Sequence, residues 1–520
     1  MKTKNYFIIL AICITAINYA QDVNIPDAAF KATLVANMNI NTNMDSEIQV
    51  TEANAFTGTI AVHYKSITDM TGLEEFTAAT GLNCKNNDLT VLDLTANVAL
   101  LTLDFSNNAI TSIDLSNNTT LESLNCEYNS LTALDVTTNT ALIAMTIGRN
   151  SFATVDISNN ISLEFFGASD TDLTSIDVSA NTVLKNINVP YNNLTSIDTS
   201  NNINLETLYC ISNSINSLDL SNNSGIITLV CAWNSLSTLN VSNLTGLTRL
   251  ECNSNSISTL DIGTNTLLTT LDCANNNLAS LDISNNLSLQ TVTCQGNSLT
   301  SLDTSLNTGL TYIGCASNGI TSLDISTNTL LISINCFSNN LTALNTSVNT
   351  LLTNIRCQNN SITDLDVSAN ISLTSFSCEN NDLGTLNMKN GNNANMSDSG
   401  FNALNNTSLT CIQVDDEPYS TANWTNIDAT ASFNESCGLS VNEYTLNDVS
   451  VYPNPVSDVL NVSSLSTTIE SIEIFSQLGQ LVLGNSNQES IDISKLSQGI
   501  YFCKIKGENG DFGRKRIIKN

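Results

Sequence analysis

From Cys84 to Cys378 the sequence repeats every 21 residues without an insertion, and so short and strict a period confines a chain to stacked coils that each pack on their neighbours. Cysteine marks the beat at Cys210, Cys231, Cys252, Cys273, Cys294, Cys315, Cys336, Cys357 and Cys378, and Cys84 and Cys126 fall on the same grid. Where cysteine is missing, the slot holds Phe105, Ile147, Ala168 or Val189, so it is apolar and faces inward. Fifteen rungs share this register.

Within a rung, apolar residues at the slot and two before it alternate with polar ones, the period-2 mark of a strand with one buried face. The aligned rungs follow L-x-x-L-x-C-x-x-N-x-L-T-x-L-D-x-S-x-N-x-x, as in Leu121-Glu-Ser-Leu-Asn-Cys-Glu-Tyr-Asn129-Ser-Leu131. This resembles the leucine-rich repeat family, L-x-x-L-x-L-x-x-N/C-x-L, over about 310 residues. The resemblance implies a mostly β, leucine-rich-repeat solenoid with parallel strands ~4.8 Å apart, roughly 70 Å of rod for fifteen rungs. Twenty-one residues leave no room for a return helix, so both sides are expected to be extended and the coil flattened and nearly straight.

Other columns accompany the slot. Asn stands three residues past it in every rung from Asn87 to Asn381 except at Thr171, and is expected to satisfy the turn's backbone groups and pair with the next rung's Asn as a ladder. A second Asn column runs from Asn97 to Asn370, broken only by Leu244. For the cysteines three readings stand: buried free thiols, rung-to-rung disulfides, or a metal column, and the closely paired Cys-x-x-Cys spacing of zinc sites is missing. An acid column from Asp93 to Asp366, with Asn240 and Asn345 interposed, reads as Asp-x-Ser turns bonding their own backbone or as a weak calcium stripe.

The chain carries 17 basic and 48 acidic side chains, a formal net charge of −31, and six of its cations lie between Lys504 and Lys519. Nucleic acid and anionic membrane surfaces are therefore excluded as partners of the repeat body, since both are bound through Lys and Arg. No stretch beyond the first twenty residues approaches the ~20 apolar residues of a membrane span.

Fifteen copies in one chain can be compared with each other. The residue before the slot varies freely, through Tyr209, Glu251 and Arg356 among others, and neighbouring outward positions carry Tyr128, Arg149, Tyr191, Trp233, Arg249, Tyr312 and Phe337. Aromatic and Arg side chains dominate recognition hot spots, which places a ligand-binding face on the outward strand surface, with Tyr191, Tyr209 and Trp233 on consecutive rungs as a patch ~10 Å long.

The ends divide the chain. Residues 1–20 read as a secretory signal, with Lys2 and Lys4 before the apolar run Tyr6 to Ile17. Residues 21–78 form an N-terminal cap that opens on a Pro26/Asp27 helix start and resembles the caps of secreted bacterial leucine-rich repeat proteins. Within it Asn41, Asn43, Asp45, Glu47, Gln49 and Glu52 resemble an EF-hand loop at positions one, three, five, seven, nine and twelve, a candidate calcium site. Asn41 stands for the usual Asp and Ser46 for the usual Gly, so an inert helical connector is the other reading. The solenoid spans 79–388, a C-terminal cap 389–440 with an expected disulfide between Cys411 and Cys437, and a linker 441–448. Residues 449–520, with Tyr452-Pro-Asn-Pro455, a Gly479-Gln turn and Leu496-Ser-Gln-Gly499-Ile-Tyr501, look like the C-terminal sorting domain of the type IX secretion system, a small β-sandwich. That resemblance implies engagement of the secretion machinery, removal of the domain, and placement at the outer-membrane surface or in the extracellular space.

With one histidine, His63, no phosphate-binding Gly loop and acids set in rows, no catalytic constellation can be assembled and no cofactor is required. The reading is a monomeric surface recognition or adhesion protein for a protein or glycan ligand. The alternative is a structural protein binding an ordered polysaccharide lattice through its regular polar columns.

Overall fold

The computed structural model describes residues 21–437 and 449–520, except 465–467, 478, 487–488 and 508–511. The signal segment and the linker 441–448 lie outside the described residues. The chain divides into two compact units between Glu435 and Ser436.

The first unit is a parallel solenoid. Three-residue strands, one per rung, pair in strict register, so that Leu229, Leu250 and Leu271 align across successive rungs. The sheet holds seventeen strands, because an opening rung, Thr59–Ala61, and a closing one, Phe401–Asn402, extend the fifteen regular coils. The closing strand is displaced by two 3-10 turns, Asn393–Asn395 and Asp398–Gly400, which lengthen its rung and hide it from the 21-residue count. The return side contains no helix within the regular rungs but pairs as strands only at the C-terminal end, in a four-stranded parallel sheet of Asp364–Asp366, Thr385–Asn387, Cys411–Gln413 and Ser432–Asn434. Elsewhere its rung-to-rung backbone bonds are isolated, as from Thr174 N–H to the Ala153 carbonyl.

Both Asn columns hold the stack together, and neither does so by pairing amide with amide as expected. In the first, the Asn129 amide donates to the carbonyls of Phe105 and Cys126, at 3.1 Å each, while its Oδ1 accepts from Ile110 N–H at 3.0 Å. One carboxamide thus serves backbone groups of two rungs, which is more favourable than amide pairing because those groups would otherwise be buried unpaired. At the exception, Thr171 reaches the Oδ1 of Asn192 instead, at 2.9 Å. In the second column each Asn donates to two carbonyls of the preceding rung, as Asn139 does to Leu115 and Asn118. Its Oδ1 is buried without a partner in ten rungs, and in three it accepts from a threonine hydroxyl: Thr199 to Asn223, Thr304 to Asn328 and Thr346 to Asn370.

The eleven cysteines of the slot are free and buried. Burial pushes the thiols of Cys210, Cys252 and Cys315 up to about 12 and moves the others in the same direction, so the column packs as small hydrophobes. Among the described residues no group of three or more His, Cys, Asp or Glu is placed to hold a metal. The acid column is occupied by its own turns. Asp135 accepts from the N–H and hydroxyl of Thr137 at 3.0 and 2.6 Å, and such bonds hold the carboxyls of Asp135 and Asp156 below the ordinary carboxylate range.

Both array ends are closed. At the N-terminus, helix Ala28–Val35 buries Phe30 and Leu34, and one Asp27 oxygen caps it while the other bonds Thr68. At the C-terminus, Phe401 stacks on Trp424 at 4.3 Å, Trp424 donates to the Met396 carbonyl, and helix Glu417–Asn423 covers the last rungs. Cys411 and Cys437 are both disulfide-bonded.

The second unit has a three-stranded antiparallel sheet (Ser450–Tyr452, Val459–Ser463, Ser490–Asp492) and a four-stranded one (Ile469–Phe475, Leu481–Ser486, Gly499–Gly507, Phe512–Lys519). Both feed one core that includes Leu460, Val462, Ile472, Ile474, Cys503 and Ile517.

Candidate functional site

The rung geometry creates one conformationally special position. Two residues past the slot, the backbone turns out of the strand in the left-handed region, with φ between 52° and 65° in the regular coils, and does so in every rung. A Cβ in that region is crowded by its own backbone, so Gly and the short polar residues Asn, Asp and Ser fit it best. That is what most rungs carry: Asn86, Asn107, Asp170, Ser212, Ser254, Asn275, Gly296, Ser317, Ser338, Asn359, Asn380 and Asn405. Five rungs instead place a large side chain there: Tyr64, Tyr128, Arg149, Tyr191 and Trp233.

All five lie in the N-terminal half, and none of the positions from Ser254 onward is bulky. The four rings stand in solvent, Tyr64 at 67 % exposure, Tyr128 at 46 %, Tyr191 at 56 % and Trp233 at 60 %. The members of the column interact where they are adjacent. Arg149 lies over the Tyr128 ring, 5.0 Å from its centroid, and its guanidinium pairs with Asp170 at 3.6 Å. Tyr128, Arg149, Asp170, Tyr191, Ser212 and Trp233 therefore form one ridge along the edge of the solenoid, a residue per rung at ~4.8 Å.

The residues expected on one outward strand face therefore divide between two surfaces. Tyr128, Arg149, Tyr191 and Trp233 belong to the turn edge, not to the strand surface. Tyr191 and Trp233 share a column with Ser212 between them, whereas Tyr209 sits half-buried on the strand face, in register with Asn188 and Val230. The three do not form a single aromatic patch. Of the other expected residues, Arg249 is engaged by Glu251 in the same strand at 2.9 Å from Nε, Phe337 is partly covered, and Arg356 stands exposed on the strand face far along the array from the ridge. The missed member is Tyr64, on the opening rung, whose ring meets His63 edge-on at 5.7 Å. The signal in the sequence was the dominance of Asn, Ser and Gly at the same offset in other rungs.

The EF-hand-like loop closes on itself. Its left-handed residue is Met44, two before Ser46, so the chain does not reverse where an EF-hand requires. Glu52 accepts from the N–H groups of Thr42, Asn43 and Gln49 and acts as the return partner of a capping box, and the amides of Asn43 and Gln49 both donate to Asp45 Oδ2. The Asn41 amide donates to the carbonyls of Val35 and Asp45, and Glu47 is drawn away by Lys31. The loop's carboxylates thus accept from N–H donors of the loop itself and from Lys31.

A solenoid of short parallel strands with internal Asn columns is the fold of leucine-rich-repeat proteins. Residues 450–520 match the secretion system C-terminal sorting domain, so the chain is exported by type IX secretion to the outer-membrane surface or extracellular space. Among solved structures it is similar to the functional domain of InlJ from Listeria monocytogenes, which includes a cysteine ladder (26 % identity, 96 % of this chain and 100 % of that one, TM-score 0.61). The leucine-rich repeat protein LIC12759 of Leptospira interrogans shares the fold at 18 % identity, over 64 % of this chain and 92 % of that one, with a TM-score of 0.59. A 100-residue segment is 32 % identical to part of the ulvan lyase NLR42 of Nonlabens ulvanivorans, covering 18 % of this chain and 19 % of that protein. Among the described residues no helix is long and apolar enough to cross a membrane.

Proposed function

We propose that this is a non-catalytic surface recognition protein that binds its ligand along the N-terminal half of the left-handed edge. One observation carries the reading: bulky side chains occupy a backbone position that disfavours them, on neighbouring rungs, with their rings exposed. Packing has no use for an exposed ring there, and backbone strain retained at a surface is a mark of function. The regular polar columns offer a competing surface for lattice binding, but they run the whole length of the array and leave the confinement of the large residues to one half unaccounted for.

The test is to probe glycan and protein arrays with the chain and with variants that restore Asn at Tyr128, Tyr191 and Trp233, the residue other rungs use. Binding lost in these variants and kept in Ser317→Asn supports the ridge. Binding that falls in proportion to the number of rungs deleted from the C-terminal half favours the lattice reading instead.

A further inference from the structure

We infer that the ligand of this ridge is a neutral, extended polysaccharide chain, an inference that rests on the reading of the edge as the binding surface. The rings are arranged as a line of separate platforms. Tyr191 and Trp233 are two rungs apart, ~10 Å along a straight edge, and Tyr128 is three rungs further back, ~14 Å from Tyr191. Among the described residues none of these three rings stacks on another ring; Arg149 covers one face of Tyr128, while Tyr191 and Trp233 are more than half exposed. A protein partner is usually met by a contiguous apolar centre ringed by polar groups. Here the intervals between rings are polar instead, filled by Asp170 and Ser212 on the edge and by Asn188 on the adjoining strand face.

That alternation matches a sugar chain. Each pyranose presents a C–H face that stacks on an aromatic ring and a rim of hydroxyls that needs hydrogen-bonding partners. In an extended chain the advance per sugar is close to one rung, so alternate sugars can lie over Tyr191 and Trp233 while the sugar between meets Ser212. Tyr209, half-buried beside Asn188, forms a lateral wall on the strand side of this track.

Charge decides the class of chain. The formal net charge of −31 repels uronate and sulfated polymers, and the single cation of the ridge is already committed, Arg149 to Asp170 at 3.6 Å and to the Tyr128 ring. Recognition must therefore come from stacking and neutral hydrogen bonds.

The experiment is affinity electrophoresis of the full chain through gels containing hydroxyethylcellulose, glucomannan or laminarin, with alginate as the anionic comparison. Calorimetry with cello- and manno-oligosaccharides of two to six sugars accompanies it. A neutral polymer should retard the wild-type chain, alginate should not, and affinity should rise until the oligosaccharide spans both rings. Tyr191→Asn and Trp233→Asn should each weaken binding by roughly tenfold. No retardation by any neutral polymer, or stronger retardation by alginate, overturns the inference about the ligand; the ridge itself then stands if a display-selected protein ligand loses binding in the same variants. Retardation by a neutral polymer that is unchanged in the double variant overturns the ridge.

Discussion

The double substitution Tyr191→Asn/Trp233→Asn separates a functional ridge from a structural one. With φ at 56° and 53°, each bulky residue costs about 1 kcal/mol relative to Asn, which tolerates the left-handed region. Against that stands the apolar contact the rings make. Trp233 is 60 % exposed and Tyr191 56 %, so each hides somewhat under half of its surface, and part of what is hidden is backbone and Cβ that Asn would bury equally. Roughly 40–60 Å² of ring contact per site, at ~25 cal/mol/Å², contributes about 1–1.5 kcal/mol, and less against a compact unfolded chain. The two effects nearly cancel, and the double variant should lie within about 1 kcal/mol of wild type in guanidinium denaturation while losing its ligand. A loss above about 3 kcal/mol would mean that the rings are packing elements, and the argument that strain at this edge signals recognition would fail.

Other substitutions test the rest of the account. Asn129→Ala orphans the Ile110 N–H and removes one of the two Asn donors on each of the Phe105 and Cys126 carbonyls, and should cost about 1–3 kcal/mol, read as a lowered denaturation midpoint. Thr199→Val should cost about 1 kcal/mol by orphaning Asn223 Oδ1, whereas Val178→Thr gives the buried Asn202 Oδ1 a hydroxyl donor and should be neutral or stabilising in the same assay. Because burial raises the thiols of Cys210, Cys252 and Cys315 from 9.0 to about 12, the unfolded chain ionises first. Their contribution is intact below pH 9 and declines as pH rises towards 12, by about 1.4 kcal/mol per pH unit for each thiol; a midpoint unchanged between pH 8 and 11 would contradict it. At the N-terminal loop, Glu52→Gln should destabilise by about 1 kcal/mol equally with calcium and with chelator, and a calcium-dependent rise in wild-type melting temperature would show that the loop opens to take the ion.

Most of the scaffold was readable because a period admits few solutions. Cys231, Cys252 and Cys273 recur at 21 residues and can share an environment only if the coils stack, and the alternation around them sets the strand and its buried face. The Asp-x-Ser turns were equally legible, since they close within three residues. Features set by three-dimensional neighbours were harder to read. Asn129 bonds the backbone of the rung before it rather than the next Asn, a choice governed by which carbonyls the stack leaves unpaired. Phe401 escaped the count because its strand follows two extra turns. Trp233 was assigned to the strand face because alternation says nothing of where the strand ends. Only the company of Ser254, Asn275 and Gly296 at the same offset reveals a left-handed turn.

Hydrogen–deuterium exchange of the full chain, free and saturated with its ligand, puts the ridge to the most direct test. The edge amides of Tyr191 and Trp233 bond to the carbonyls of Ile211 and Asn253 on the following rungs, so a ligand lying along the edge should slow exchange there and at Tyr128 and Ser212 between and beside them. Protection confined to rungs beyond Ser254, or to the return side, would place the binding surface elsewhere.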